Sequence, residues 1–65
     1  MASLIIYHYP TREQTLKMFP TNREAFQQFA ALCEDLELEW HERDNGDLYA
    51  GGLGSKFLID LTQNP

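Results

Sequence analysis

Apolar and polar residues alternate along most of this chain and switch to helical spacing in one segment. Residues 3–9 (SLIIYHY) are rich in β-branched and aromatic side chains, and Pro10 follows them. Such residues suit a pleated, half-buried strand. PTRE (10–13) reads as a turn. In QTLKMF (14–19), Leu16 and Met18 fall on one face, which predicts a second strand folded back on the first.

The segment 20–36 (PTNREAFQQFAALCEDL) changes period. Thr21 is a good N-cap, and Glu24 three residues later completes a capping-box pattern. Phe26, Phe29, Cys33 and Leu36 then recur at three- and four-residue spacing, with Gln27, Gln28, Glu34 and Asp35 off that stripe. This pattern predicts an amphipathic helix.

Residues 36–52 fit two patterns. Leu36, Leu38 and Trp40 alternate with Glu37, Glu39 and His41, as on a strand, and Asn45-Gly46 is a strong hairpin signal of the type I′ kind. A longer helix competes, because Phe26, Phe29, Cys33, Leu36 and Trp40 also form a seam. That version exposes Leu38 and makes Asn45-Gly46 a helix stop. The hairpin is preferred. KFLIDLT (56–62) predicts a last strand, with Phe57, Ile59 and Leu61 on one face and Leu58, Asp60 and Thr62 on the other. QNP reads as a tail.

The expected fold is therefore a single α+β domain over 1–65. A small antiparallel β-sheet of four to five strands, in β-β-α-β-β-β order, carries one helix on one face. The inner layer would be Leu4, Ile6, Leu16, Met18, Leu38, Trp40, Leu48 and Ile59 against the helix stripe. Ile5, Tyr7, Tyr9, Phe19, Tyr49 and Leu58 would lie on the opposite face. One helix cannot cover both faces, and an apolar surface of several hundred Å² usually marks an interaction site, where Tyr is favoured.

Size sharpens that expectation. A chain of 65 residues buries only about 60% of its unfolded surface, and such a core rarely supplies more than ~3–5 kcal/mol. Cys33 is the only cysteine, so no internal disulfide can form, and no Cys/His cluster has zinc-finger spacing. Self-association, most simply a homodimer, or a partner protein is the expected support. A hydrophobic fraction of 43% suits a folded domain. No apolar run has the length of a membrane span, and no export signal precedes Leu4–Tyr9. A reducing compartment, the cytoplasm, is expected.

Charge narrows the partner. The net charge is −5, and seven of the ten acidic residues lie between Glu34 and Asp47, a run broken by positive charge only at Arg43. The scattered basic residues disfavour direct nucleic-acid binding and an anionic membrane. A basic protein fits better.

Local chemistry is sparse. Three of the four glycines fall in LYAGGLGSKF (48–57). A P-loop would read G-x-x-x-x-G-K-[ST] and lead into a helix, whereas here Ser55 precedes Lys56 and a strand follows. A G-x-x-G clamp (Gly51 to Gly54) lacks basic support. Turns and bulges between strands are the simpler reading. His8 would sit at the rim of the core, and His41 would point outward with Glu39 and Arg43. Cys33 faces the core, where a thiol is a small hydrophobe. Trp40 packs against the helix if the strand register holds. No pattern designates a catalytic residue, a cofactor or a metal.

The first expectation is a small non-catalytic protein-interaction module, a regulator or inhibitor of a larger complex. Tyr7, Tyr9, Phe19 and Tyr49 would supply apolar contacts, and Glu37, Glu39, Glu42 and Asp44 the charge. Self-association through the sheet face would be one form of it. One alternative is an acidic mimic of nucleic acid, with Glu37 and Glu39 on the order of 7 Å apart on one strand face, followed by Glu42, Asp44 and Asp47. The other is a metal- or phosphate-binding protein using His8, His41 and Gly51–Ser55. No motif is specific enough to name a family.

Overall fold

The computed structural model describes residues 1–52 and 54–63. The tail reading at 64–65, and Leu53 within the glycine-rich stretch, lie outside them. The elements are β1 (Ala2–His8), β2 (Glu13–Phe19), α1 (Asn22–Asp35), β3 (Trp40–Glu42), β4 (Leu48–Gly51) and β5 (Phe57–Thr62). The strands form one antiparallel five-stranded sheet in the order β2-β1-β5-β4-β3. This is the small α+β fold that the patterning predicts.

α1 begins where Thr21 caps it, its hydroxyl oxygen accepting from the Glu24 N–H at 3.2 Å. Ala25, Phe29 and Cys33 are the buried positions of its inner face. The stripe is thus rotated from the expected one. Phe26 sits at its margin, 37% exposed, and meets the Trp40 ring edge-on at 5.6 Å. Beneath the helix lie Ala2, Leu4, Leu48, Ala50, Ile59 and Leu61, all buried. Ile6, Phe19, Leu32, Leu36 and Leu38 pack around this core.

The helix ends in a Schellman-type reversal. The Leu38 N–H donates to the Cys33 carbonyl at 2.8 Å, and the Glu37 N–H to that of Glu34 at 3.2 Å. Glu37 takes the left-handed conformation, φ 55, and Leu38 turns back onto the core. The expected strand from residue 36 is corrected by this cap: only Trp40–Glu42 pair.

The β3–β4 hairpin forms as preferred, but its turn differs from the expected type. The Arg43 N–H donates to the Asp47 carbonyl and the Gly46 N–H to that of Arg43, with Gly46 at φ 91. Asn45 is not at positive φ, as a type I′ turn would require. A type I turn followed by a left-handed glycine explains both bonds.

The larger correction concerns β2. Its register with β1 pairs Phe19 with Ala2, Lys17 with Leu4 and Thr15 with Ile6. Phe19 therefore faces the helix side, and Leu16 and Met18, opposite Ile5 and Ser3, face away from it. Their exposures, 60% and 55%, show that neither belongs to the core.

Candidate functional site

The sheet face opposite the helix carries an aligned array. Leu16, Ile5, Asp60, Tyr49 and His41 lie side by side across all five strands. The next row holds Gln14, Tyr7, Leu58 and Gly51. Tyr9 extends the face past the end of β1, its ring edge-on to Tyr7 at 4.9 Å. Among the described residues nothing covers this surface at β2, where Leu16 and Met18 stand exposed.

The face is polarised. Its β2–β1 side is apolar, built from Leu16, Met18, Ile5 and Tyr7 with Leu58 of β5. Its β3–β4 side is polar. The Arg43 guanidinium makes two parallel bonds to Asp60, Nη1–Oδ1 at 2.6 Å and Nη2–Oδ2 at 3.1 Å. The same group lies 4.5 Å from the Tyr49 ring centroid. The His41 ring tilts over Tyr49 at 5.5 Å. Asp60 holds the Arg43 pKa above its ordinary value, chiefly through this hydrogen bond. The arrangement places the Tyr49 ring between the Arg43 guanidinium and the His41 imidazole, with a cation–π contact from the arginine.

Of the expected contact residues, Tyr7, Tyr9 and Tyr49 share this face. Phe19 does not, because the β1–β2 register turns it toward Ala2. Leu16 and Met18 take its place. The four-residue loop 9–12 between His8 and Glu13 sets that register. An even loop fixes which residues stand opposite, so the turn carried the signal that the hydrophobic pattern of β2 alone could not supply.

The acidic residues do not form a strand row. Glu37 occupies the helix reversal, Glu39 precedes β3, Glu42 lies on the helix side of β3 opposite Leu48, and Asp44 lies in the hairpin turn. The carboxylate spacing expected for Glu37 and Glu39 on one strand face is therefore not formed. All four are exposed and ring the β3 end of the sheet. Asp47 is engaged internally, accepting from the Gln63 N–H at 3.1 Å and the Asn45 amide at 3.2 Å.

The glycine-rich segment is a tight connection between β4 and β5. The Gly52 N–H points to the Phe57 carbonyl at 3.0 Å and to Ser55 Oγ at 3.1 Å. Ser55 Oγ lies 2.7 Å from the Phe57 carbonyl. A Cβ on Gly51 would stand 2.0 Å from the same carbonyl oxygen. The glycine at that position permits the backbone crossing itself.

His8 is half-buried at the rim, its Nδ1 2.7 Å from the Thr11 hydroxyl and its ring 4.7 Å from that of Phe57. Cys33 is buried, and burial raises its thiol pKa. Among the described residues, no three His, Cys, Asp or Glu side chains are grouped to hold a metal ion. No helix among them is long and apolar enough to cross a membrane. No family model, no curated protein and no solved structure matches this chain.

Proposed function

We propose that this chain is a small non-catalytic module that binds a basic protein partner through the open face of its sheet, as a regulator or inhibitor of a larger complex would. The observation that carries this reading is the alignment of Tyr7, Tyr9, Leu16, Met18 and Leu58 on a face that the single helix leaves uncovered. Tyr and Met are enriched at interface centres. The exposed carboxylates Glu39, Glu42 and Asp44 at the β3 end, in a chain of net charge −5, suit a partner with a basic rim.

Binding by native chain and by a Tyr7→Ala, Tyr49→Ala double variant tests it, with the native chain immobilised to capture and then titrate its partner. Loss of one hot-spot aromatic costs more than about 1–2 kcal/mol, so the double variant should weaken binding at least tenfold. Neutralising Glu39, Glu42 and Asp44 should slow association and flatten its salt dependence. Equal binding by the tyrosine variant would overturn the sheet-face reading. If that binding were also abolished by moderate salt and competed by DNA, acidic mimicry would replace it.

A further inference from the structure

The two edges of the sheet are not alike. β3 is three residues long, preceded by Glu39 and ending in Glu42. Such a short, charged edge is protected against pairing. β2 is seven residues long, has no proline, and its last-but-one residue Met18 is as open as Leu16. It carries the charges Glu13 and Lys17, but its length and its exposed Leu16 and Met18 leave it open to pairing where the short β3 is not.

The backbone direction at this edge follows from the ladder. The Tyr9 N–H donates to the carbonyl of Lys56, which stands directly opposite in the β1–β5 register. In an antiparallel pair such direct exchange alternates with non-bonded pairs. Tyr7, Ile5 and Ser3 therefore bond to β5, and His8, Ile6, Leu4 and Ala2 bond to β2. Independent bonds agree with this phase: Gly52 N–H to the Phe57 carbonyl across β4–β5, and Arg43 N–H to the Asp47 carbonyl across β3–β4. On β2, then, Glu13, Thr15, Lys17 and Phe19 turn their backbone groups to β1. Gln14, Leu16 and Met18 turn theirs outward.

We propose that this edge pairs with β2 of a second copy, antiparallel about a two-fold axis at Leu16, joining two five-stranded sheets into one. Only this register satisfies every outward group. Leu16 exchanges both bonds with Leu16 of the second copy, and Gln14 exchanges both with Met18 on each side. Centring on Thr15 leaves Met18 unpaired, and centring on Lys17 sets two ammonium groups opposite each other, which is unfavourable. With Leu16 at the centre, the two exposed leucines meet on the open face. Glu13 comes diagonally near Lys17 of the other copy, within reach of long side chains of opposite charge. The strand is thus complementary to itself in hydrogen bonding, in apolar contact and in charge. A two-fold pairing also closes, whereas β2 on β3 of another copy would propagate into a fibre.

The side chains on the helix side do not obstruct it. Glu13, Thr15 and Lys17 are exposed, and a hollow lined by Ile6, His8, Glu13, Thr15 and Phe57 lies beside the first two. The pairing does not rest on the partner-binding reading. It would leave the apolar faces of both copies open and continuous across the seam.

Amide hydrogen exchange of the native chain, over a concentration series with mass measured by light scattering, tests it directly. The expected mass rises from 7.5 kDa to twice that value. Over the same range the Gln14, Leu16 and Met18 amides become protected, while those of Thr15 and Lys17 are protected throughout. Leu16→Pro removes an N–H that points away from β1, so it should keep the monomer's circular dichroism and abolish the dimer; Leu16→Lys should do the same by charge repulsion. Tyr7→Ala with Tyr49→Ala should leave the dimer intact, which separates failure of this pairing from failure of partner binding. A chain that stays monomeric into the millimolar range overturns the proposal. So does a dimer whose Gln14, Leu16 and Met18 amides exchange freely, or one that survives Leu16→Lys.

Discussion

Arg43, at the hairpin end of β3, reaches across β4 to form a two-bond ion pair with Asp60 on β5, at 2.6 and 3.1 Å. It is a side-chain link from the short edge strand to the interior of the sheet. β3 pairs through only three residue positions, so the link substitutes for ladder length. Tyr49 of β4 lies beneath the guanidinium, so the three strands share one contact.

Both partners are partly exposed, at 39% and 31%, and solvent screening limits the worth of the pair. Arg43→Ala or Asp60→Ala should destabilise the fold by about 1 kcal/mol. Arg43→Lys should recover little of that, because an ammonium cannot make the parallel bonds or lie flat on the tyrosine ring. Urea unfolding followed by Trp40 fluorescence reads this. Trp40 is the chain's one tryptophan and contacts Phe26 and Phe29 edge-on. A full recovery by lysine would show that charge alone matters.

Glu37 gives the opposite sign. It occupies the left-handed position of the helix reversal at φ 55, where a β-carbon costs roughly 1–2 kcal/mol. Glycine relieves that strain and returns part of the gain as unfolded-state entropy. Glu37→Gly should therefore stabilise the chain by about 0.5–1 kcal/mol, seen as a higher urea midpoint at unchanged m-value. The same substitution removes one of the carboxylates expected to attract a basic partner, so stability and binding should move in opposite directions.

These two positions show what the sequence made readable and what it did not. The element order was legible because each segment has a clean period and a recognisable boundary, such as Thr21 before α1 or Pro10 after β1. The alternation that begins at Leu36 predicts strand at Glu37 and Leu38. A Schellman reversal with glutamate in the glycine position carries no local signature, and it consumed the first residues of that pattern. On β2 the period was right and the phase was not. Leu16 and Met18 look like core residues beside Thr15 and Lys17. On β2 only Phe19 packs against the core and the residues from Glu13 to Met18 stay exposed on both faces, so burial chooses the phase weakly and the loop 9–12 decides it. Tyr7, Tyr9 and Tyr49 were placed on the open face by β1 and β4, which are central strands with one face firmly buried.

Two glycines separate conformational strain from steric exclusion. Gly46 and Gly51 both have positive φ, 91 and 82, but an added Cβ meets nothing within 4 Å at Gly46 and the Phe57 carbonyl oxygen at 2.0 Å at Gly51. Gly46→Ala should cost about 1–2 kcal/mol, the left-handed penalty alone. Gly51→Ala must also push the β4–β5 connection apart and break the Gly52 to Phe57 bond. For a core supplying only ~3–5 kcal/mol, that should leave a largely unfolded chain at room temperature. Circular dichroism and urea titration of the two variants distinguish them, and equal costs would count against the close approach at Gly51.

Cys33 supplies a pH dependence. Burial against the sheet disfavours its thiolate, so its folded pKa is raised above the ordinary thiol value of 9.0. The unfolded chain then loses the thiol proton at lower pH than the folded chain does. Well below pH 9 both states hold the proton and the group has no effect on the slope. Above it the folded state binds more protons than the unfolded one, and stability falls as pH rises until the folded thiol itself ionises. The loss is at most about 1.4 kcal/mol per pH unit. The measurement is the difference between native chain and Cys33→Ala, which isolates the thiol. That difference should be constant from pH 6 to 8 and shrink at the native chain's expense above pH 9. Modification of the native thiol by a neutral disulfide reagent should be slow at neutral pH and accelerate with urea, because it requires α1 to lift from the buried sheet residues Leu4, Ile59 and Leu61. A rapid reaction without denaturant would show that the helix leaves the sheet readily, and the difference in pH slope would then be absent as well.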